Sequence, residues 1–338
     1  MENKISKHIT LDTVRLIANS DYIISANSDL FKNDIDTTTG EIRSIEFNSR
    51  FHESITPFKL YILANNQTRK LTLEFSSKLL LGDYPKLISR DTFGQCLRNI
   101  EKLGICSLDI DRIIENGYFN KLHITKDVEL ELTPEVLDRL NLCTGNYRRY
   151  KWVRYENNAI LFSKNVKSND CKEEISIYNK AKEIQLSKNK PFLNQTNAAE
   201  TIKEYFNEKT RFEVKLETTR KIKKELGIED TSINRVLSLD KNVVLTQFDK
   251  IFSDSSMVNE TLSINNITDY GLFCAIRYHK GNMQGVEQEV KDFNIYGIAS
   301  RGAYNRQMQK VKKMAKSWSN QEMGRDNAIS QIRELLHG

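Results

Sequence analysis

The sequence predicts an α+β protein, in which a mainly antiparallel sheet is followed by a helical C-terminal part. Short segments up to residue 217 alternate apolar and polar residues, which is typical of strands with one buried face. After Gly227 this alternation stops, and apolar residues recur at helical spacing. A chain of 338 residues exceeds the usual size of a single core. We therefore expect two domains, residues 1–228 and 229–338.

The first segments predict short strands that are separated by turns. Residues 9–26 read as a strand, a turn and a second short strand, on the apolar segments Ile9–Leu11, Val14–Ile17 and Tyr22–Ile24. The stretch Asn33–Gly40 is polar and rich in turn-forming residues, so it predicts a loop.

A β-hairpin and a helix are predicted next. Phe58–Leu63 and Lys70–Phe75 read as strands on either side of a turn at Asn65–Asn66. Thr92–Leu103 has apolar residues at helical spacing, and Gly104 stands where a helix is expected to end.

The next predicted strand, Lys121–Glu131, carries a polar face. Its alternation places four polar residues on one side, namely His123, Thr125, Asp127 and Glu129. Lys126 interrupts the opposite, apolar side, which indicates that this side is open at that level.

A second hairpin and a further strand follow. Tyr150–Tyr155 and Ala159–Ser163 predict the hairpin, with its turn at Glu156–Asn158. Glu174–Tyr178 then alternates, so that the hydroxyl of its last residue lies on the polar face.

The clearest alternation in the chain is Arg211–Glu217. Its apolar residues predict a buried face, and its charged residues, Glu213 among them, predict an exposed one. Thr218–Leu226 continues as a helix that ends at Gly227. The later predicted helices are Val243–Phe252, Thr268–His279, Val286–Phe293, Ala303–Ser317 and Ala328–Leu336.

Positive charge is concentrated near the C-terminus. The net charge is only +6, yet the segment from Ile298 to Trp318 contains six basic residues and no acid. Such a concentration favours a polyanionic partner. The candidate DNA-binding residues are Arg301, Arg306, Lys310 and Lys313. A helix pair ending in this basic helix would suit a helix-turn-helix in a DNA groove, although a solvated helix face explains the charge equally well.

Cysteine usage and hydropathy indicate a cytoplasmic protein. The five cysteines are scattered, without the spacing of a zinc site or a disulfide framework. No apolar run is long enough to span a membrane, and the first nine residues lack the apolar segment of a signal peptide.

The polar faces of three predicted strands suggest a metal site beside a tyrosine. If these strands are neighbours, His123, Asp127 and Glu213 converge near the hydroxyl of Tyr178. Imidazole and carboxylate groups suit a hard divalent cation such as Mg²⁺ or Mn²⁺. A cation on a phosphate would help the weakly nucleophilic hydroxyl of Tyr178 to attack it, and Lys180 could add positive charge there. Each of these side chains could instead be an ordinary strand residue.

Four segments, one of them more loosely than the others, resemble the rolling-circle replication initiators of filamentous phages, the gene II protein family, and their plasmid and mobile-element relatives. Ile177–Lys180 looks like the tyrosine motif of that family, and Arg211–Glu213 looks like its Arg-Phe-Glu motif. Lys121–Val128 is similar to the strand in which these proteins place metal-binding acids, and Lys78–Gly82 is more loosely similar. The sequence departs from the pattern at His123, where many relatives have an acid.

The resemblance implies a catalytic nicking domain over 1–228 and a helical DNA-binding domain over 229–338. Tyr178 would be the nucleophile, with Lys180 beside it and Asp127, Glu213 and His123 at a Mg²⁺ or Mn²⁺ site. Such an enzyme nicks one strand at an origin and keeps a 5′-phosphotyrosyl link. Its partners would be origin DNA, single-stranded or in a hairpin at the nick, and the helicase and polymerase of a bacterial host.

Two other functions remain open on the sequence alone. A DNA-binding regulator without catalysis would use the same basic helix. A tyrosine recombinase would also form phosphotyrosine links, and Arg277–His279 resembles part of such a site. Recombinase chemistry needs no metal, however, and Tyr178 lies mid-chain among carboxylates.

Overall fold

The structure is a computed structural model that describes residues 9–142, 150–155, 158–164, 174–252, 264–279, 283–293, 301–322 and 328–338. Its strands are β1 (Leu11–Asn19), β2 (Ile23–Ala26), β3 (Lys32–Ile35), β4 (Ile42–Asn48), β5 (Leu60–Asn65), β6 (Lys70–Ser76), β7 (Cys106–Leu108), β8 (Tyr118–Glu129), β9 (Tyr150–Tyr155), β10 (Ala159–Lys164), β11 (Glu174–Asn179) and β12 (Lys209–Leu216). Its helices are α1 (Phe93–Lys102), α2 (Ile110–Asn116), α3 (Pro134–Leu142), α4 (Lys180–Ile184), α5 (Lys190–Gln195), α6 (Ala199–Phe206), α7 (Thr219–Leu226), α8 (Ile233–Leu237), α9 (Val243–Phe252), α10 (Ile267–Tyr278), α11 (Met283–Asp292), α12 (Arg301–Glu322) and α13 (Ala328–His337).

The predicted α+β class with a large antiparallel sheet is confirmed. Ten strands of the described residues form one sheet in the order β3-β4-β5-β6-β1-β8-β12-β11-β10-β9, and each neighbouring pair is antiparallel. Strands β2 and β7 form a separate small sheet. Within the residues described here, no helix is long and apolar enough to cross a membrane.

The apolar face of the large sheet packs against helices. Phe212 of β12 contacts Phe248 of α9, and Phe162 of β10 contacts Phe252 of the same helix. Farther along the sheet, Phe93 of α1 lies against Phe75 and Phe119. These large buried rings all belong to the main core.

Both hairpins and the helix that begins near Thr92 form as the sequence predicts. The predicted loop at Asn33–Gly40 is wrong in part, because β3 occupies Lys32–Ile35 and pairs with β4. All four residues of β3 are exposed, so its sequence lacks the apolar face by which a strand is recognised. Of the turn predicted at Glu156–Asn158, residues 156 and 157 lie outside the described part of the chain.

Lys126 corrects a second expectation from the sequence. The apolar side of β8 is covered at this level by α13, and Lys126 Nζ donates a 2.6 Å hydrogen bond to the carbonyl of Leu336. Carbonyl groups in the last turn of a helix have no partner within the helix, so a lysine is well matched to this position.

The described residues form two hydrophobic clusters that bear on the predicted domains. The main cluster runs from Ile9 through the sheet and includes residues of α9 and α13. A second, smaller cluster lies among α10, α11 and α12. The boundary at residue 228 stays a prediction, but α9 and α13 share their core with the sheet that precedes them.

Candidate active site on the polar face of the sheet

The strands with polar faces lie side by side in the sheet. β12 lies between β8 and β11, so residues from three distant parts of the chain meet on one face. Arg211 is directly opposite both Tyr178 and Asp127, and Glu213 is directly opposite Thr125. The alternation that each strand shows in sequence is therefore what places these side chains together.

Tyr178 and Glu213 make direct contact across β11 and β12. The Tyr178 hydroxyl donates a 3.2 Å hydrogen bond to Glu213 Oε2, and the tyrosine is partly exposed. Burial and the negative charge of Glu213 raise the pKa of Tyr178 well above its usual value. The phenol is thus neutral at physiological pH, and Glu213 is the group that can take its proton.

His123 links Glu213 to a second carboxylate. Its Nδ1 lies 3.3 Å from Glu213 Oε1, and its Nε2 lies 3.0 Å from Glu217 Oε1. Burial favours the neutral ring, but the hydrogen bonds to the two carboxylates outweigh burial and raise the pKa of His123. The hydrogen bond from His123 in turn helps to lower the pKa of Glu217 to about 2. Metal binding would require the neutral ring, and so would compete with this arrangement.

Asp127 is held by an arginine. Arg211 Nε and Nη2 donate to the two carboxylate oxygens of Asp127 at 2.7 and 2.8 Å. The Arg211 side chain is fully buried, and that of Asp127 is 2% exposed. Direct coordination of a metal by Asp127 would require this bidentate pair to open. Arg211 therefore competes with a metal ion for the Asp127 carboxylate.

Asp12 is a member of the site that the sequence analysis did not identify. Its Oδ1 accepts a 2.6 Å hydrogen bond from Arg211 Nη1 and a 3.0 Å hydrogen bond from Ser77. Burial opposes ionisation of Asp12, but the charges of Arg211 and Lys180 and the hydrogen bond from Ser77 together outweigh burial and lower the pKa of Asp12 to about 2. The pairing register of β1 with β8 shifts between Leu11 and Thr13, and this bulge contains Asp12. In sequence, the only sign was the break in alternation between two predicted strands.

Lys180 lies beneath Tyr178, in the first turn of α4. Its side chain is 3% exposed, and its ammonium group pairs with Glu183 Oε2 at 2.5 Å. The same group lies 5.3, 5.4 and 5.7 Å from the ring centroids of Tyr84, Phe206 and Tyr178. Lys180 therefore acts on the site as a buried positive charge below the tyrosine ring.

Lys78 is a second buried lysine in this region, within the segment that showed the looser family resemblance. Lys78 Nζ donates a 2.6 Å hydrogen bond to Asn189 Oδ1. Asn189 Nδ2 donates to the backbone and the carboxylate of Glu183. Burial is the main reason that the pKa of Lys78 falls to about 8. The two lysines are thus linked through Asn189 and Glu183.

The predicted DNA-binding residues lie on α12, and they differ in their surroundings. Arg301, Arg306 and Lys313 are exposed. Lys310 is also exposed, and it forms a 2.5 Å ion pair with Asp269 of α10. The opposite side of α12 packs in the second cluster through residues such as Val311. The helix therefore has a basic side and an apolar, packed side.

Only some of the predicted ligands are placed to hold a Mg²⁺ or Mn²⁺ ion. Among the described residues, no group of three His, Cys, Asp or Glu side chains is arranged to hold a metal ion. Glu213 and His123 are adjacent, and carboxylate oxygen is a ligand that Mg²⁺ prefers. Because Mg²⁺ keeps several waters and binds one or two carboxylates together with substrate phosphate, Glu213 fits such an ion. Asp127 fits it only if Arg211 releases the carboxylate.

Comparison with known proteins leaves the family of this chain open. No family model matches the sequence, and no curated protein is significantly similar to it. The roles of the residues above therefore depend on their positions and chemistry.

Proposed function

We propose that this protein is a metal-dependent DNA nicking enzyme that starts rolling-circle replication of a phage, plasmid or other mobile element. The observation that carries the proposal is the 3.2 Å contact between the hydroxyl of Tyr178 and Glu213, on neighbouring strands of one polar face. A nucleophile in contact with a group that can accept its proton is the basic requirement for attack on phosphate. The sheet would thus be the nuclease domain, of the replication-initiator and relaxase-like class, and 229–338 would bind origin DNA.

The proposed reaction is a transesterification. Tyr178 Oη attacks the scissile phosphorus, and the proton of its hydroxyl passes to Glu213 Oε2. The bond from phosphorus to the 3′ oxygen of the preceding nucleotide in the same strand breaks, and that oxygen takes a proton from water and leaves as a 3′-hydroxyl. The product is a 5′-phosphotyrosyl link, whose attack by a 3′-hydroxyl reverses the step and rejoins DNA. Bound Mg²⁺ or Mn²⁺ would withdraw charge from the phosphate, with Glu213 and His123 as the nearest ligand candidates.

Positive charge around Tyr178 supports its role as the nucleophile. Arg211 lowers the pKa of Tyr178 and so partly opposes the effect of burial and of Glu213. The ammonium group of Lys180 lies 5.7 Å from the centroid of the same ring. Both cations are buried, so they favour negative charge on the phenol oxygen and on a phosphate placed beside it.

The test is to find the covalent product and its site. The full-length protein is incubated with Mn²⁺ and a pool of single-stranded oligonucleotides of random sequence, and SDS-stable adducts are mapped by mass spectrometry. We expect an adduct on Tyr178, its loss in Tyr178→Phe, and its retention in the control Tyr118→Phe, which removes another partly exposed hydroxyl. An adduct that Tyr178→Phe still forms would overturn the assignment.

The alternative is a DNA-binding regulator without catalysis, favoured by the exposed basic side of α12. Replacing Arg301 and Arg306 by Ala should weaken DNA binding and reduce its dependence on salt concentration. Both functions predict this result, so binding by the wild-type protein with no adduct under any metal condition would favour the regulator. Adduct formation that survives EDTA would instead favour recombinase-like chemistry.

A further inference from the structure

Thr125 lies at the centre of the polar face and has no role in the function proposed so far. It is directly opposite Glu213 in the pairing of β8 with β12. Along β8, His123 and Asp127 are two residues away on either side, and so they lie on the same face. Side chains directly opposite each other in an antiparallel pair are close enough for both to contact one small ligand.

The hydroxyl of Thr125 is buried and unsatisfied. The residue is 1% exposed, and its Oγ1 has no hydrogen-bond partner among the described residues. Its backbone is fully engaged, because its N–H donates to the carbonyl of Thr10 and its carbonyl accepts from the hydroxyl of Thr10. Buried polar atoms without a partner are rare and destabilising, so they mark positions where a further group binds.

The chemistry of the neighbouring groups indicates which ligand this hydroxyl meets. A hydroxyl oxygen is a hard donor, as is the carboxylate of Glu213, and hard divalent cations bind oxygen ligands. Asp127, the other predicted ligand on β8, is occupied by Arg211. We propose that Thr125 Oγ1 and the Glu213 carboxylate together contact the divalent cation. Thr125, rather than the predicted Asp127, would then be the ligand from β8.

This inference rests on the proposed function in one respect, since that function supplies the reason for a cation at Glu213. Binding of the cation can be measured without DNA and without activity. The probe is Mn²⁺ alone, titrated into the full-length protein and followed by electron paramagnetic resonance of the free ion.

Four variants separate the candidate contacts. Thr125→Val removes the hydroxyl with little change in shape, and it should raise the Kd for Mn²⁺ by about 10-fold or more. Thr125→Ser keeps the hydroxyl and should bind nearly as the wild type does. Glu213→Gln should lose binding at this site. Ser76→Ala is the matched control, because Ser76 Oγ is also buried and has no hydrogen-bond partner in the described part of the chain, but it lies on β6, two strands from β8.

Thermal unfolding in EDTA guards against a purely structural explanation. An unsatisfied hydroxyl contributes nothing to folding, so Thr125→Val should melt at the same temperature as the wild-type protein or higher. A clearly lower melting temperature would mean that the hydroxyl has a protein partner, and the inference would then fail.

The binding outcomes also distinguish this inference from the proposed function. If Thr125→Val and the wild type bind Mn²⁺ equally while Glu213→Gln does not, the hydroxyl meets only water, and the inference fails alone. If the wild-type protein binds no Mn²⁺, the proposed metal-dependent function and the inference about Thr125 both fail.

Discussion

Arg211 shows how a single residue organises the polar face. Its guanidinium contacts Asp127, Asp12 and, at 3.4 Å, the hydroxyl of Tyr84, although the side chain has no exposed surface. A buried charge is tolerated only when opposite charges and hydrogen bonds satisfy it. These three partners come from three separate parts of the chain, so Arg211 joins β1, β8 and the Ser77–Lys86 segment to β12.

Replacing Arg211 should destabilise the fold strongly. Arg211→Gln leaves the buried carboxylate of Asp127 and the partly buried carboxylate of Asp12 without their cation, and we expect a loss of about 3–5 kcal/mol in the free energy of unfolding. Urea denaturation measures it. The control is Arg112→Gln, which breaks an exposed pair with Asp109 and should change stability little. Similar losses for the two variants would contradict the role given to Arg211.

Lys78 leads to a prediction about pH. Burial lowers its pKa to about 8, from a usual value of 10.5. Between these values the unfolded chain binds the proton more tightly than the folded protein does, so stability rises with pH across that window. The stability of the wild type relative to Lys78→Met should therefore increase from about pH 8 to pH 10. Urea denaturation at several pH values tests this, with the exposed Lys102→Met as reference. A relative stability that does not change with pH would show that folding does not lower the pKa of Lys78.

At this scale the sequence predicted the residues that alternate and missed those that depend on irregular backbone or on a distant partner. Tyr178 and Glu213 follow the period of their strands, and the structure brings them together. Asp12 enters the site through a bulge, and a bulge has no periodic signal. The pairing of Asp127 with Arg211 depends on the register of β8 with β12, which alternation in either strand alone does not define.

Among the elements, α13 is more closely tied to the sheet than its position in the chain suggests. Ile332 is 1% exposed within the main core. Arg333 Nε pairs with Asp249 of α9 at 2.7 Å, and the carbonyl of Leu336 accepts from Lys126. The sequence predicted this helix from its spacing but not the surface against which it packs. The indication in the sequence was Lys126, because a lysine on an apolar face needs a hydrogen-bond acceptor for its ammonium group.

Removing one buried side chain from α13 tests this connection. Ile332→Ala should lower the free energy of unfolding of the whole sheet by about 2–5 kcal/mol, because it leaves a cavity in the main core. The exposed neighbour Gln331→Ala should have little effect. Near-UV circular dichroism during urea unfolding reports on the aromatic residues of the sheet. Equal stability of the two variants would mean that α13 is not part of this core.

For the whole molecule, the two hydrophobic clusters predict two levels of stability. The main cluster spans the sheet with α9 and α13, whereas α10, α11 and α12 share only a small cluster. Regions with few buried apolar contacts open at lower free energy than the rest of a protein. The described residues after 228 form helices, as expected from the sequence, but periodicity alone did not show that α9 and α13 pack against the sheet.

Met308→Ala should separate these levels. Met308 is buried in the small cluster, and its truncation should weaken that cluster by about 2–5 kcal/mol. Hydrogen exchange followed by mass spectrometry should show faster exchange in α10 to α12 and unchanged protection in β8 and β12. Faster exchange throughout the sheet would indicate a single cooperative unit instead.

The bond between Lys126 and Leu336 has a consequence for biosynthesis. Some 210 residues separate its two ends, so a ribosome finishes β8 long before it makes the helix that shields it. During that interval the incomplete sheet exposes apolar side chains to solvent, and chaperones bind such surfaces on nascent chains. Slowing translation late in the message should therefore increase aggregation more than slowing it early.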